Sequence, residues 1–227
     1  VIGQGTAHVA GQSLAHALES SLPDARLRVE ALPATELSGF GLRADMADTL
    51  VIAISQSGTT TDTNRTVDLA RGRGASVVAI VNRRGSDLTD KSDGVMYTSD
   101  GRDVEMSVAS TKTFYAQVAA GVLLACGIAE AAGRGTAHRR HELLTSLRTL
   151  PDAMVEVIAN RPAIADAARR FAPSKRYWAI VGNGPNVVAA EEVRIKLSEL
   201  CYKSIACDVT EDKKHIDLSS EPLILVC

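Results

Sequence analysis

Ser55, Gln56, Ser57, Gly58, Thr59 and Thr60 lie between an apolar run and an amphipathic one, and residues of these types in that place can hold an anion. The run before them, Thr49 to Ile54, is β-branched and almost wholly apolar, as expected of a strand buried on both faces of a parallel sheet. From Asp62 onward, Val67, Leu69 and Ala70 are separated by charged residues, which predicts a helix ending near Gly72 and Gly74. The first turn of a helix has N–H groups without intrahelical partners and a partial positive charge, so a phosphate can dock there without a lysine. Hydroxyls of Ser55, Ser57 and Thr60 would add donors, and Gly58 would let the backbone curl around the oxygens. Ordinary helix capping by Ser and Thr is the alternative reading of the same residues.

Three further residues have types suited to proton transfer. Lys196 and Glu199 stand three positions apart in EVRIKLSELCY, so they project near one another from one helix. An ammonium there can tune a carboxylate, or the two can simply form a surface ion pair. His215 closes the charged run Glu211-Asp212-Lys213-Lys214-His215, and its ordinary pKa suits acid–base work. A solvated loop histidine is the other reading. Ser110 opens a long apolar helix through Phe114, Val118, Val122, Leu123 and Ile128, where its hydroxyl is a natural cap.

The elements that must position these residues alternate along the chain. Val1 and Ile2 lead into Gly3-Gln4-Gly5-Thr6 and an alanine-rich helix, and Arg26 to Leu32 alternates toward a second strand. Ala75 to Val81 and Gly94 to Thr98 supply further strands, which predicts a parallel sheet with helices on its faces. The Gly-x-Gly turn lacks the full dinucleotide fingerprint, so no nucleotide cofactor is expected. His138 to Phe171 is helical, punctuated by Pro151 and Pro162. His138 and His141 share a face of it without a further ligand nearby, so a solvated basic patch is expected there and no metal. YWAIVGNGPNVVAAEEVRIKL, at 177–197, then repeats the opening strand, Gly-x-Gly turn and alanine-rich helix.

Composition narrows the function classes. Of 227 residues, 45% are hydrophobic and 23% charged, ordinary for a globular protein, and the formal charge of -2 gives no basic footprint for nucleic acid. No apolar run approaches the ~20 residues that span a bilayer, and no signal peptide is visible. Cys126, Cys201, Cys207 and Cys227 have no metal-ligand spacing, so reduced, structurally buried thiols and a cytoplasmic location are expected. Val1 begins inside an apparent strand and PLILVC stops inside another, so the chain is expected to be a fragment of something longer.

SQSGTTTDT closely resembles the SQSGET-x-DT loop of the sugar isomerase (SIS) domain in the glutamine:fructose-6-phosphate aminotransferase family, with Thr59 where that family has glutamate. VASTKTFYAQ resembles its VASTK-x-F-x-x-Q, and EVRIKLSELCY its EGALKLKEISY. The resemblance implies a three-layer αβα fold with a parallel sheet and two tandem SIS domains, the second truncated. The first would occupy 1–132, a helical connection 133–172, and the incomplete second 173–227. It also implies sugar-phosphate contacts at Thr6, Ser55, Gln56, Ser57, Thr60, the Val108 backbone and Ser110. Ala7 stands where the family has a serine, removing one hydroxyl. Glu199 would fall on the family's catalytic glutamate, Lys196 on a motif lysine, and His215 on a histidine that assists ring opening, although Ile216 and Asp217 replace that family's Gly-Pro.

The activity so implied is amino transfer to fructose 6-phosphate with ketose-to-aldose isomerisation, needing no metal or organic cofactor. Fructose 6-phosphate or glucose 6-phosphate would be the ligand, and a homodimer the assembly, with no nucleic-acid or membrane partner. A sugar-phosphate sensor without turnover, or a related phosphosugar isomerase or deglycase, is the competing reading.

Overall fold

A computed structural model describes residues 1–23, 26–102, 105–107 and 109–227. The chain divides into two compact units, Val1–Thr136 and Ala137–Cys227.

The first unit is built on a five-stranded sheet of β1 (Ile2–Gly3), β2 (Leu32–Pro33), β3 (Leu50–Ser55), β4 (Ser76–Val81) and β5 (Gly94–Tyr97). All four pairings are parallel, in the order β2-β1-β3-β4-β5. The long central strands are β-branched because both faces are covered. Along β3, Val51 and Ala53 enter one core and Ile52 and Ile54 the opposite one, as the two-residue period of a strand requires.

The two cores belong to different helices. Helix α1 (Thr6–Ser21) places Leu14 and Leu18 in the core of Ile52, Ile54 and Ile80. On the other face lie α2 (Ala34–Glu36), which runs into a π-helical turn at Leu37–Gly41, then α3 (Thr61–Arg71) and α4 (Asp87–Asp90). These contribute Ala34, Val67, Ala70 and Leu88 to the core of Val51, Ala53, Val77 and Ala79. Helix α5 (Lys112–Ala131) returns to the α1 face through Ala120, Ala125 and Ala129. The unit is thus the expected α/β sandwich, helices on both faces of a parallel sheet.

Three sequence expectations need correction. Arg26 to Ala31 does not form a strand; pairing is confined to Leu32 and Pro33. The apolar run of α5 is, by length and composition, long enough to cross a membrane. Its alanine and glycine stripe nevertheless packs against α1, with Gly121 facing Leu14. Finally, Cys201 is exposed, while Cys126, Cys207 and Cys227 are only half-buried, and all four are free thiols.

In the second unit, α6 (Ala137–Ala159) runs on through Pro151, and the helix breaks at Asn160 before α7 (Arg161–Phe171), where Pro162 fits the first turn. His138 lies 3.3 Å from Glu142, one turn on. There follow β6 (Trp178–Val181), α8 (Asn186–Cys201), β7 (Ala206–Asp208), a short α9 (His215–Leu218) and β8 (Leu223–Val226). The strands form a parallel sheet in the order β7-β6-β8, with Ile180, Ala190 and Ile205 at its core.

The internal repeat has a steric basis. A Cβ on Gly3 would lie 2.7 Å from the Ala7 carbonyl carbon, and one on Gly182 would lie 2.5 Å from the Asn186 carbonyl oxygen. In both units the strand end runs so close to the helix that follows that only glycine fits. The next glycine in each turn also matches, with φ of 55° at Gly5 and 56° at Gly184.

Candidate functional site

The sheet order places the first unit's site. Strands β1 and β3 are parallel neighbours, yet the chain leaves β1 for the α1 face and β3 for the α3 face. This is a topological switch point, and doubly wound sheets bind ligands beyond the carboxyl ends of the strands at such a point. Thr6 starts α1 on one side of it, and the turn from Ser55 to Thr60 enters α3 on the other.

That turn is rigidly built. Buried Ser55 accepts the Gly58 N–H at 3.0 Å through its hydroxyl oxygen. The Gln56 carbonyl accepts N–H bonds from both Asn82 and Arg83 at 3.2 Å, tying the turn to the end of β4. The Gly58 carbonyl accepts from the Leu88 N–H at 3.1 Å and the Asn64 side-chain amide at 3.0 Å. Gly58 itself has φ +67°, and a Cβ there would stand 1.9 Å from the Ser86 Oγ. Backbone conformation and space together demand glycine.

The turn's hydroxyls are oriented. Thr59, which replaces glutamate in the resembled loop, donates through its N–H and its hydroxyl to the Ser57 Oγ, at 3.2 and 3.0 Å. With both lone pairs of Ser57 engaged, its own proton is left to donate outward. Thr60 is the N-cap residue of α3, but among the described residues no side chain caps that helix. The first-turn N–H groups thus keep the donor capacity that ordinary capping would consume. Asp62, in the same turn, is exposed.

Ser110 joins this neighbourhood through a residue that sequence reasoning passed over. Glu105 accepts the Thr111 N–H at 2.9 Å and the Lys112 N–H at 3.3 Å on one carboxylate oxygen. Its other oxygen accepts the Thr113 N–H at 2.8 Å and the Ser110 hydroxyl at 3.2 Å. Its backbone carbonyl accepts the Gln56 side-chain amide. Burial pushes the Glu105 carboxyl up, but the bonds from Thr111, Thr113 and Ser110 outweigh it and hold the group down at about 2. The available signal was an acidic residue just ahead of a helix, where the macrodipole favours negative charge. Val108 lies outside the described residues.

The second unit brings Lys196 and Glu199 together and leaves His215 apart. Lys196 Nζ lies 3.0 Å from Glu199 and 3.5 Å from Glu192, so it bridges two carboxylates, one a turn to either side of it on α8. Glu192 is buried, and sequence reasoning passed over it although its i,i+4 spacing to Lys196 was visible. His215 is exposed at the start of α9, and its side chain bonds to neither Lys196 nor Glu199.

Such an architecture, a parallel αβα sandwich with an anion-ready turn at its switch point, defines a class of phosphate-handling domains. The SIS domain family model matches residues 1–127, and the chain belongs to that family. Over 217 residues it is 38% identical to the isomerising glutamine–fructose-6-phosphate aminotransferase of Mycobacterium leprae, covering 95% of this chain and 33% of that protein. The same enzyme of Corynebacterium efficiens is also 38% identical, with the same coverage. The chain thus spans about a third of the length of these curated relatives. Among solved structures, the C-terminal domain of glucosamine-fructose-6-phosphate aminotransferase from Francisella tularensis matches with TM-score 0.85 at 24% identity, covering 96% of this chain and 60% of that one. Tagatose-6-phosphate ketose/aldose isomerase from Escherichia coli matches with TM-score 0.72 at 20% identity, covering 99% and 60%. These two likenesses concern the fold.

Proposed function

We propose that this chain is the sugar-phosphate-binding isomerase portion of a glucosamine 6-phosphate synthase-like aminotransferase. The observation that carries the reading is the uncapped start of α3, with Ser57 preset as a donor, at the switch point of the sheet. The similarity to aminotransferases over 95% of the chain supports the choice of chemistry. The phosphate of fructose 6-phosphate docks on the turn from Ser55 to Thr60, and Thr6 and Ser110 contact the sugar. Once nitrogen has been transferred to C2, the Glu199 carboxylate takes a proton from C1, and the same proton equivalent is returned at C2. Lys196 holds that carboxylate in place, and His215 helps open the ring. In this reading the assembly is a homodimer and the second unit is the beginning of a second SIS domain.

Thermal unfolding tests the anchor. Fructose 6-phosphate and glucose 6-phosphate should raise the midpoint, with fructose and glucose giving a much smaller shift. Equal shifts from sugar and sugar phosphate would remove the phosphate site. The chemical step is tested with Glu199→Gln in the full-length protein, where deuterium wash-in from solvent into the sugar phosphate should fall by about 10² or more. Wash-in at the wild-type rate would leave Lys196 and Glu199 as an ion pair only. The replacement of the resembled family's Gly-Pro after His215 by Ile216 and Asp217 leaves room for one alternative, a sugar-phosphate sensor without turnover. Binding with no wash-in in the wild-type protein would identify it.

A further inference from the structure

Glu105 touches both halves of the site and has no part in the chemistry above. Its carboxylate takes the N–H groups of Thr111, Lys112 and Thr113 and the hydroxyl of Ser110, while its carbonyl takes the Gln56 amide. We infer that Glu105 is a positioning residue that locks the Ser55–Thr60 turn to the Ser110 end of α5 and reserves the phosphate for α3. The inference rests on the sugar-phosphate reading of this site and deepens it.

Two physical consequences follow from the contacts. The first-turn N–H groups of α5 are an anion site in their own right, as are those of α3. Glu105 fills the first with a built-in carboxylate, whereas among the described residues no side chain fills the second. An incoming phosphate therefore meets competing negative charge at α5 and open donors at α3. The second consequence is the polarity of Ser110. Because its proton goes to Glu105, buried Ser110 can offer a further partner only lone pairs, the reverse of Ser57. A donor is thus presented to the phosphate and an acceptor to a sugar hydroxyl.

The carbonyl contact adds stiffness. Gln56 is the residue directly after β3, and its side chain reaches across 49 positions of sequence to Glu105. Its own carbonyl is held by Asn82 and Arg83. Releasing the Glu105 end should therefore loosen the turn without melting β3 or β4.

Glu105→Gln, Glu105→Ala and Gln56→Ala test this in the complete chain. Gln56→Ala cuts the link from the turn side and leaves the α5 cap whole, so it serves if the Glu105 variants fold poorly. Without ligand, amide hydrogen exchange in peptides spanning 56–60 should speed up at least tenfold in Glu105→Ala and Gln56→Ala, with β4 peptides unchanged. Glucose 6-phosphate affinity by calorimetry should fall at least tenfold in all three. In the Glu105 variants, inorganic phosphate should gain a second site. Lowered stability with unchanged exchange at 56–60 and unchanged affinity would make Glu105 a helix cap and nothing more. If wild-type protein fails to bind glucose 6-phosphate, the sugar-phosphate reading falls. The exchange arm still decides whether Glu105 holds the turn.

Discussion

At the scale of single residues, the site depends on groups whose freedom has been removed. Gly58 combines φ +67° with a Cβ position 1.9 Å from the Ser86 Oγ, so Gly58→Ala must move α4 or the turn. A loss of about 1 to 3 kcal/mol is expected in urea unfolding, together with weakened sugar-phosphate binding. Glu105 predicts a pH dependence. Its carboxyl is held at about 2 against an ordinary value of 4.5, so its stabilisation is complete above the ordinary value and is lost as pH falls from 4.5 toward 2. The stability gap between wild type and Glu105→Gln, on the order of 1 to 2 kcal/mol after solvent screening, should close across that window. A gap independent of pH would remove the carboxylate from the explanation. The turn that carries Ser55, Ser57, Gly58 and Thr60 was legible in the sequence because hydroxyls and glycine cluster after an apolar strand. Glu105 was not, because its partners are backbone N–H groups, which any sequence supplies.

At the scale of elements, periodicity gave most of the outcome. The apolar run of β3 and the spacing of Val67 and Ala70 on α3 predict burial, and Val51 to Ser55, Val67 and Ala70 are buried, although Leu50 is exposed. Arg26 to Ala31 alternates just as well, yet no neighbouring strand pairs with it. Strand pairing is a tertiary event, and alternation is only a precondition for it. Of the two prolines that punctuate the helical segment in the sequence, Pro151 sits within α6 and Pro162 in the first turn of α7, so the break at Asn160 falls just before the one placed where a missing N–H costs least. The close approach of α1 and α5 yields a prediction at this scale. A Cβ on Gly121 would stand 3.2 Å from the Leu14 Cβ, so Gly121→Leu should push the helices apart. The expected loss is about 1 to 3 kcal/mol by denaturant titration, with the α3 face unaffected. An unchanged midpoint would mean that the α1–α5 seam has slack.

At the scale of the whole chain, an exposed stretch of backbone links two compact units. Gly133, Arg134, Gly135 and Thr136 are all exposed between α5 and α6. Trypsin should cut first at Arg134, and the larger product, carrying the complete five-stranded sheet, should keep its α/β circular dichroism. Early cleavage inside 50–100 instead would show that the first unit does not stand alone. The repeat that marks the two units was visible as two Gly-x-Gly turns, although their common steric reason was not.

The paired close approaches at Gly3 and Gly182 also shape what the chain can become. In a saturation library selected for folded protein, both positions should reject every side chain, alanine included. Gly39 and Gly127, where a Cβ meets nothing within 4 Å, should accept many. Two isolated zeros in a tolerance map, 179 positions apart, would then mark where each half begins to turn, even after all other likeness between the halves had drifted away.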